Sequence, residues 1–157
     1  MRTIAAALIA VIALPSTAYA GTATSTFKVQ TDVVASCRLT PQDINLGTYD
    51  PTGEEALSGS GVVSVMCTKG TTPILSYNGA NAQGQTQYMV GTSTSSKLSY
   101  NLYSDSSHST NLVGQNTTLQ TSDGSTAQTM AVYAKVAGGQ NVPADSYVDT
   151  VTVTATF

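Results

Sequence analysis

The side chains with the most capacity for chemistry in this 157-residue chain are two cysteines, Cys37 and Cys67, and a single histidine, His108. Two thiolates and one imidazole cannot fill a four-coordinate zinc site, which makes a metal pair the weaker reading of the cysteines. In an exported chain an even cysteine count most simply means one disulfide. Nucleophilic catalysis needs a base within hydrogen-bond reach of the nucleophile, and His108 sits in a Ser-rich loop with no patterned Ser or Cys beside it. No catalytic residue, metal site or cofactor is expected.

Weaker patterns resolve the same way. Asp43, Asp50, Glu54 and Glu55 lack the Asp-x-Asp-x-Asp-Gly spacing that places oxygens around one calcium ion, and read as a solvated acidic loop. Gly59-x-Gly61 lacks the third glycine and the strand-to-helix context of a dinucleotide turn; loop flexibility is the simpler account. Asn116-Thr117-Thr118 is a formal glycosylation sequon in a Ser/Thr-rich chain. Tyr100 and Tyr103 could flank a sugar platform, but strand alternation would bury Tyr100 and expose Tyr103.

The compartment follows from the N-terminus. Residues 1–20 read as a secretory signal: Arg2 in a positive n-region, an apolar run from Ile4 to Leu14, and an Ala18-Tyr19-Ala20 cleavage site. The run stops at Pro15, far short of the ~20 residues that span a bilayer. A mature chain beginning at Gly21 is long enough for one domain with one hydrophobic core. It keeps five scattered basic residues, Lys28, Arg38, Lys69, Lys97 and Lys135, against nine acidic ones. Without a clustered basic surface, nucleic acid is not an expected partner.

The elements that would position these residues are strands. After the leader the sequence is rich in Thr, Ser, Gly, Ala and Val, in short alternating runs broken by turn residues, with no helical periodicity. Residues 147–157 alternate nearly throughout, placing Tyr147, Val151, Val153, Ala155 and Phe157 on one face and Thr150, Thr152, Thr154 and Thr156 on the other. Residues 22–34 do the same with Phe27, Val29, Thr31 and Val33. Between them, Val63, Val65 and Cys67 share a face, as do Leu98, Tyr100 and Leu102, and Met130, Val132, Ala134 and Val136. Six or seven short strands with turns between them imply an all-β, antiparallel sandwich of immunoglobulin type. A core-quality strand at 147–157 with no following partner needs something else to cover its edge.

Five ordered blocks resemble one family: Phe27-x-Val29 before Cys37; Leu46-Gly47-x-Tyr49-Asp50-Pro51; Gly59-x-Gly61-x-Val63-x-Val65-x-Cys67-Thr68-x-Gly70-Thr71; Leu98-x-Tyr100-Asn101-Leu102-Tyr103-x-Asp105; and residues 139–154, Gly139-Gln140-x-Val142-Pro143-Ala144 through Asp149-Thr150-Val151-Thr152-Val153-Thr154. The chain resembles the spore coat protein U domain family, the subunits of archaic, Csu-type chaperone-usher pili. The resemblance implies an incomplete immunoglobulin-like sandwich lacking its last strand, completed by an N-terminal donor strand. It divides the chain into a signal peptide (1–20), a donor strand (21–34) and a pilin domain (35–157). The implied donor residues are Phe27, Val29, Thr31 and Val33; the implied acceptor groove is Tyr147, Val151, Val153, Ala155 and Phe157. The implied partners are a periplasmic chaperone, which the Phe157 carboxylate would anchor, an outer-membrane usher and other pilus subunits, in a surface fibre serving adhesion and biofilm formation. A secreted coat protein and a monomeric extracellular carbohydrate-binding module are the competing readings.

Overall fold

Strands account for all the regular structure in residues 19–157, the part of the chain described by the computed structural model. The expected signal segment falls almost wholly outside the described residues. Nine strands run β1 (Cys37–Pro41), β2 (Leu57–Cys67), β3 (Ile74–Gly79), β4 (Gln87–Gly91), β5 (Lys97–Tyr103), β6 (Thr117–Thr118), β7 (Gln128–Val136), β8 (Tyr147–Val148) and β9 (Val151–Thr156). They build a six-stranded sheet in the order β1-β2-β7-β5-β4-β8 and a three-stranded sheet in the order β6-β3-β9. Every ladder between strands is antiparallel. Two curled antiparallel sheets around one core make the immunoglobulin-like, all-β fold that the alternation implies.

The chain divides into two units, residues up to Asp32 and residues Val33–Phe157, and all nine strands belong to the second. Its core follows the period-two pattern. Val63, Val65 and Cys67 from β2, Leu98, Tyr100 and Leu102 from β5, and Val132, Ala134 and Val136 from β7 are all buried, as the shared parities require. Leu75 and Tyr77 of β3 close the core from the smaller sheet, and Leu112 and Val113, from the segment before β6, are buried with them.

Cys37 and Cys67 are disulfide-bonded. They sit directly opposite each other in the β1–β2 ladder, with Cα atoms 4.0 Å apart. The adjacent residues exchange a backbone bond, Thr68 N–H to Ser36 C=O at 2.9 Å, so the cysteines occupy a non-hydrogen-bonded site, the closer of the two antiparallel pairings.

Three expectations need correcting. Residues 147–157 are not one strand: Tyr147 and Val148 pair with β4 in the larger sheet, whereas residues from Val151 onward pair with β3 in the smaller one. The chain changes sheet at Asp149, whose carboxylate accepts hydrogen bonds from the Tyr100 hydroxyl at 2.8 Å and Asn81 Nδ2 at 2.9 Å. Residues 22–34 carry no strand, because alternation sets faces but a strand exists only with a ladder partner. Gly59 does not precede the strand that Gly61 was expected to begin; both lie within β2, where a Cβ would come 2.9 Å from Leu46 Cδ2 and 2.8 Å from Ile44 Cγ1. The Ile44–Leu46 stretch crosses β2 at those two positions, and only glycine leaves it room.

The disulfide closes a 30-residue separation, which in the chain-entropy model stabilises the fold by about 3 to 4 kcal/mol. The Cys37→Ser, Cys67→Ser double variant should lose that amount in denaturant titrations, and the wild-type chain should lose as much on reduction. A loss below about 1 kcal/mol would show that the β1–β2 ladder holds without its cross-link.

Candidate functional site

β9 is the outer strand of its sheet, with a ladder partner on one side only. The ladder also fixes which backbone groups face the other side. Thr150 C=O accepts from Ala80 N–H at 2.8 Å, next in register after the Gly79–Val151 pair. In an antiparallel ladder hydrogen-bonded and non-hydrogen-bonded pairs alternate, so Thr152, Thr154 and Thr156 bond to β3 while Val151, Val153 and Ala155 turn their N–H and C=O groups outward. The same three residues direct their side chains toward the core, where they are half-buried.

Beside this edge runs an open groove of about 950 Å³ between the two sheets. Its floor is core: Val63, Tyr77, Leu98, Tyr100, Leu102, Val132 and Val136 reach it from four strands. Val151 and Val153, the Ile44–Leu46 stretch, Val142 and Tyr147 also line it. Two hydroxyls are satisfied within it: Tyr77 donates to Met130 Sδ at 3.3 Å and Tyr100 to Asp149. Burial pushes the Tyr77 hydroxyl pKa up to about 12. Tyr100 is raised further, by burial first and then by its bond to the Asp149 carboxylate.

Side chains that the sequence reading named only as parts of family blocks, or not at all, tie together the segments around the groove. Tyr49 donates to Ala137 C=O at 3.0 Å and accepts from Gln140 N–H at 2.8 Å, tying the segment after Ile44–Leu46 to the link beyond β7. The Gln140 amide mimics a strand partner for Ser99, accepting from its N–H at 2.9 Å and donating to its C=O at 3.0 Å. The Asp145 carboxylate accepts from Thr94 N–H at 2.8 Å and Ser93 N–H at 2.9 Å, and these bonds hold it well below the usual carboxylate range.

Of the five residues expected to form an acceptor groove, Tyr147, Val151 and Val153 line the groove, Tyr147 from the opposite sheet. Ala155 is half-buried against the core beyond the lining, and Phe157 lies past the end of β9, 55% exposed. In the N-terminal row, Phe27, Val29 and Val33 are 87%, 86% and 80% exposed, an apolar face without cover. His108 is half-buried and edge-on to Tyr103, with ring centroids 5.2 Å apart, and to Tyr133, a packing role for the one imidazole. Among the described residues no cluster of three or more His, Cys, Asp or Glu could hold a metal ion.

The fold and its open-edged groove define a pilin-like, immunoglobulin-type domain. Residues 23–154 match the Spore Coat Protein U domain, and the chain belongs to that family. It is 32% identical to Protein U of Myxococcus xanthus over 162 residues, covering 90% of this chain and 89% of that protein. Among solved structures it is similar to a chain of the CsuC–CsuE chaperone–tip adhesion subunit pre-assembly complex from the archaic chaperone-usher Csu pili of Acinetobacter baumannii. The TM-score is 0.57 and the identity 29%, over 80% of this chain and 40% of that one. A chain from a chaperone–tip adhesin complex of CFA/I fimbriae biogenesis shares the fold, with a TM-score of 0.51 at 16% identity, over 76% of this chain and 42% of that one. The chain thus spans well under half the length of either structural relative.

The buried phenol makes a pH prediction. Above about pH 10 the unfolded chain ionises its tyrosines while folded Tyr77 stays neutral until about pH 12, so stability present at neutral pH is lost across that interval. Denaturation midpoints should fall steeply from pH 10 to 12, and Tyr77→Phe should flatten part of that fall. An unchanged slope in the variant would show that Tyr77 ionises equally in both states.

Proposed function

We propose that this chain is a structural subunit of an extracellular pilus assembled by the chaperone-usher pathway through donor-strand complementation. The carrying observation is the groove itself: an apolar cleft beside a strand edge whose outward N–H and C=O groups belong to the residues that line it. The chain also holds the complement, the exposed row Phe27, Val29, Thr31 and Val33. In a fibre the N-terminal segment of one subunit, residues 21–34, becomes the missing strand of the next. Backbone bonds to β9 supply affinity, and alternate side chains entering the groove supply specificity. Burying Phe27, Val29 and Val33 contributes about 1.5 to 3 kcal/mol each.

Family membership and likeness to a subunit from a chaperone complex of Csu pili support this reading. A periplasmic chaperone lends a strand to the same edge before assembly, and an outer-membrane usher exchanges it for the incoming N-terminal segment. The subunit is exported, and the fibre stands at the cell surface, where it supports adhesion and biofilm formation.

A subunit lacking residues 22–34 should still co-purify with its chaperone, yet give no multimer ladder in unheated denaturing gels. Normal fibres from that variant would overturn the reading, and a fully stable, chaperone-independent monomer of the intact chain would favour a self-contained binding module. Val153→Asp tests the groove from the other side. An unpaired charge buried there costs several kcal/mol, and folded subunit should be absent from the periplasm.

A further inference from the structure

A second hollow lies away from the groove, within the link from β5 to β6. It holds about 400 Å³, inside the range of about 300 to 1,000 Å³ typical of small-molecule sites, and shares no lining residue with the groove. Ser104, Thr110, Asn111, Gln115, Asn116 and Thr117 line it with neutral hydroxyl and carboxamide groups, and Leu112, 1% exposed, offers almost no apolar surface. The link is held in shape by its own bonds. The Asp105 carboxylate accepts from Thr110 N–H at 2.7 Å, from Ser109 N–H at 3.0 Å and from the Ser107 hydroxyl, and Ser104 N–H donates to Thr110 C=O at 3.0 Å. His108, edge-on to Tyr103 and Tyr133, pins the tip of the link to the larger sheet. Asn111 Oδ1 accepts from Val113 N–H at 2.8 Å, which leaves its Nδ2 group unused. Among the described residues, the Ser104, Gln115, Asn116 and Thr117 side chains and the Thr110 hydroxyl make no internal hydrogen bond.

This lining selects a class of ligand. It contains no Lys, Arg or His, so nothing there balances a phosphate or a carboxylate. The nearby Asp105 carboxylate is occupied by the link's own donors and has little to offer a cation. With almost no apolar surface, a lipid or a hydrophobic side chain gains little by entering. A neutral sugar answers the groups that remain, because its hydroxyls both donate and accept, as do the hydroxyls and carboxamides that line the hollow. We propose that the hollow in the β5–β6 link binds a sugar unit of a neutral polysaccharide. The fixed backbone lowers the ordering cost of binding, since only side chains need settle around the ligand. A strand seated in the groove leaves the hollow open, and its repetition in every subunit rests on the fibre reading above. Weak single contacts then combine along a fibre, where linked sites raise avidity by about 10² to 10⁴ over one contact.

Fibres sheared from intact cells can be applied to immobilised mannan, galactan and dextran, with polygalacturonate as the anionic counterpart. Wild-type fibres should be retained on at least one neutral polymer, and the Gln115→Ala, Asn116→Ala double variant should lower that retention at least about tenfold. The free monosaccharide of the retaining polymer should release the wild-type fibres. Both substituted residues are exposed, so the variant should fold and give the wild-type multimer ladder in unheated denaturing gels. Retention on none of the neutral polymers, equal retention of the variant, or stronger retention on polygalacturonate would overturn the proposal. A monomeric, fibre-free chain that is retained on the same polymer, and loses retention with the double substitution, would overturn the fibre reading alone and leave the sugar site standing.

Discussion

β9 presents the N–H and C=O groups of Val151, Val153 and Ala155 along an edge that β3 does not use, while the Val151 and Val153 side chains turn into the groove and Ala155 packs on the core beyond it. Backbone and side chain thus make the same demand at Val151 and Val153. A backbone edge of this kind can be solvated, and an apolar groove can be narrowed by collapse. An edge and a groove together are best satisfied by one thing, an extended strand with alternating apolar side chains. The Tyr49–Gln140–Ser99 bonds and the Asp145 carboxylate, at 2.8 to 3.0 Å, tie together the segments around the groove.

The far edge of the larger sheet shows the opposite treatment. β1 is also an outer strand, but the Cys37–Cys67 bond staples it to β2 at the point where the chain arrives from the N-terminal segment. In a fibre, tension from a donated strand would enter the domain there. A covalent cross-link between directly opposed residues carries such a load into β2 and from there into the widest part of the sheet.

Much of this was legible from alternation, because a period of two decides which side chains share a face. The buried faces of β2, β5 and β7 follow from it, and so does the aim of Cys67 into the core. The break at Asp149 was hidden, since the parity of Tyr147 and Val151 continues unchanged while the chain passes from one sheet to the other. Its cause lies with Tyr100 and Asn81, 49 and 68 residues away, and no local pattern carries that. The reason for glycine at positions 59 and 61 was hidden in a related way: it comes from Ile44 and Leu46, which approach β2 from a distant stretch. Buried Gln87 was invisible because its side chain does in the core what a backbone carbonyl would do, accepting from Gly79 N–H.

Amide hydrogen exchange in assembled fibres tests the central claim within a single sample. The amides of Thr152, Thr154 and Thr156 are held by β3 and serve as the internal standard. If a strand from another copy covers the open edge, Val151, Val153 and Ala155 should exchange as slowly as those threonines, by a protection factor within about tenfold. Exchange of the three at near-solvent rates, with the threonines still protected, would show that the edge stays open in the fibre and that another surface holds the subunits together.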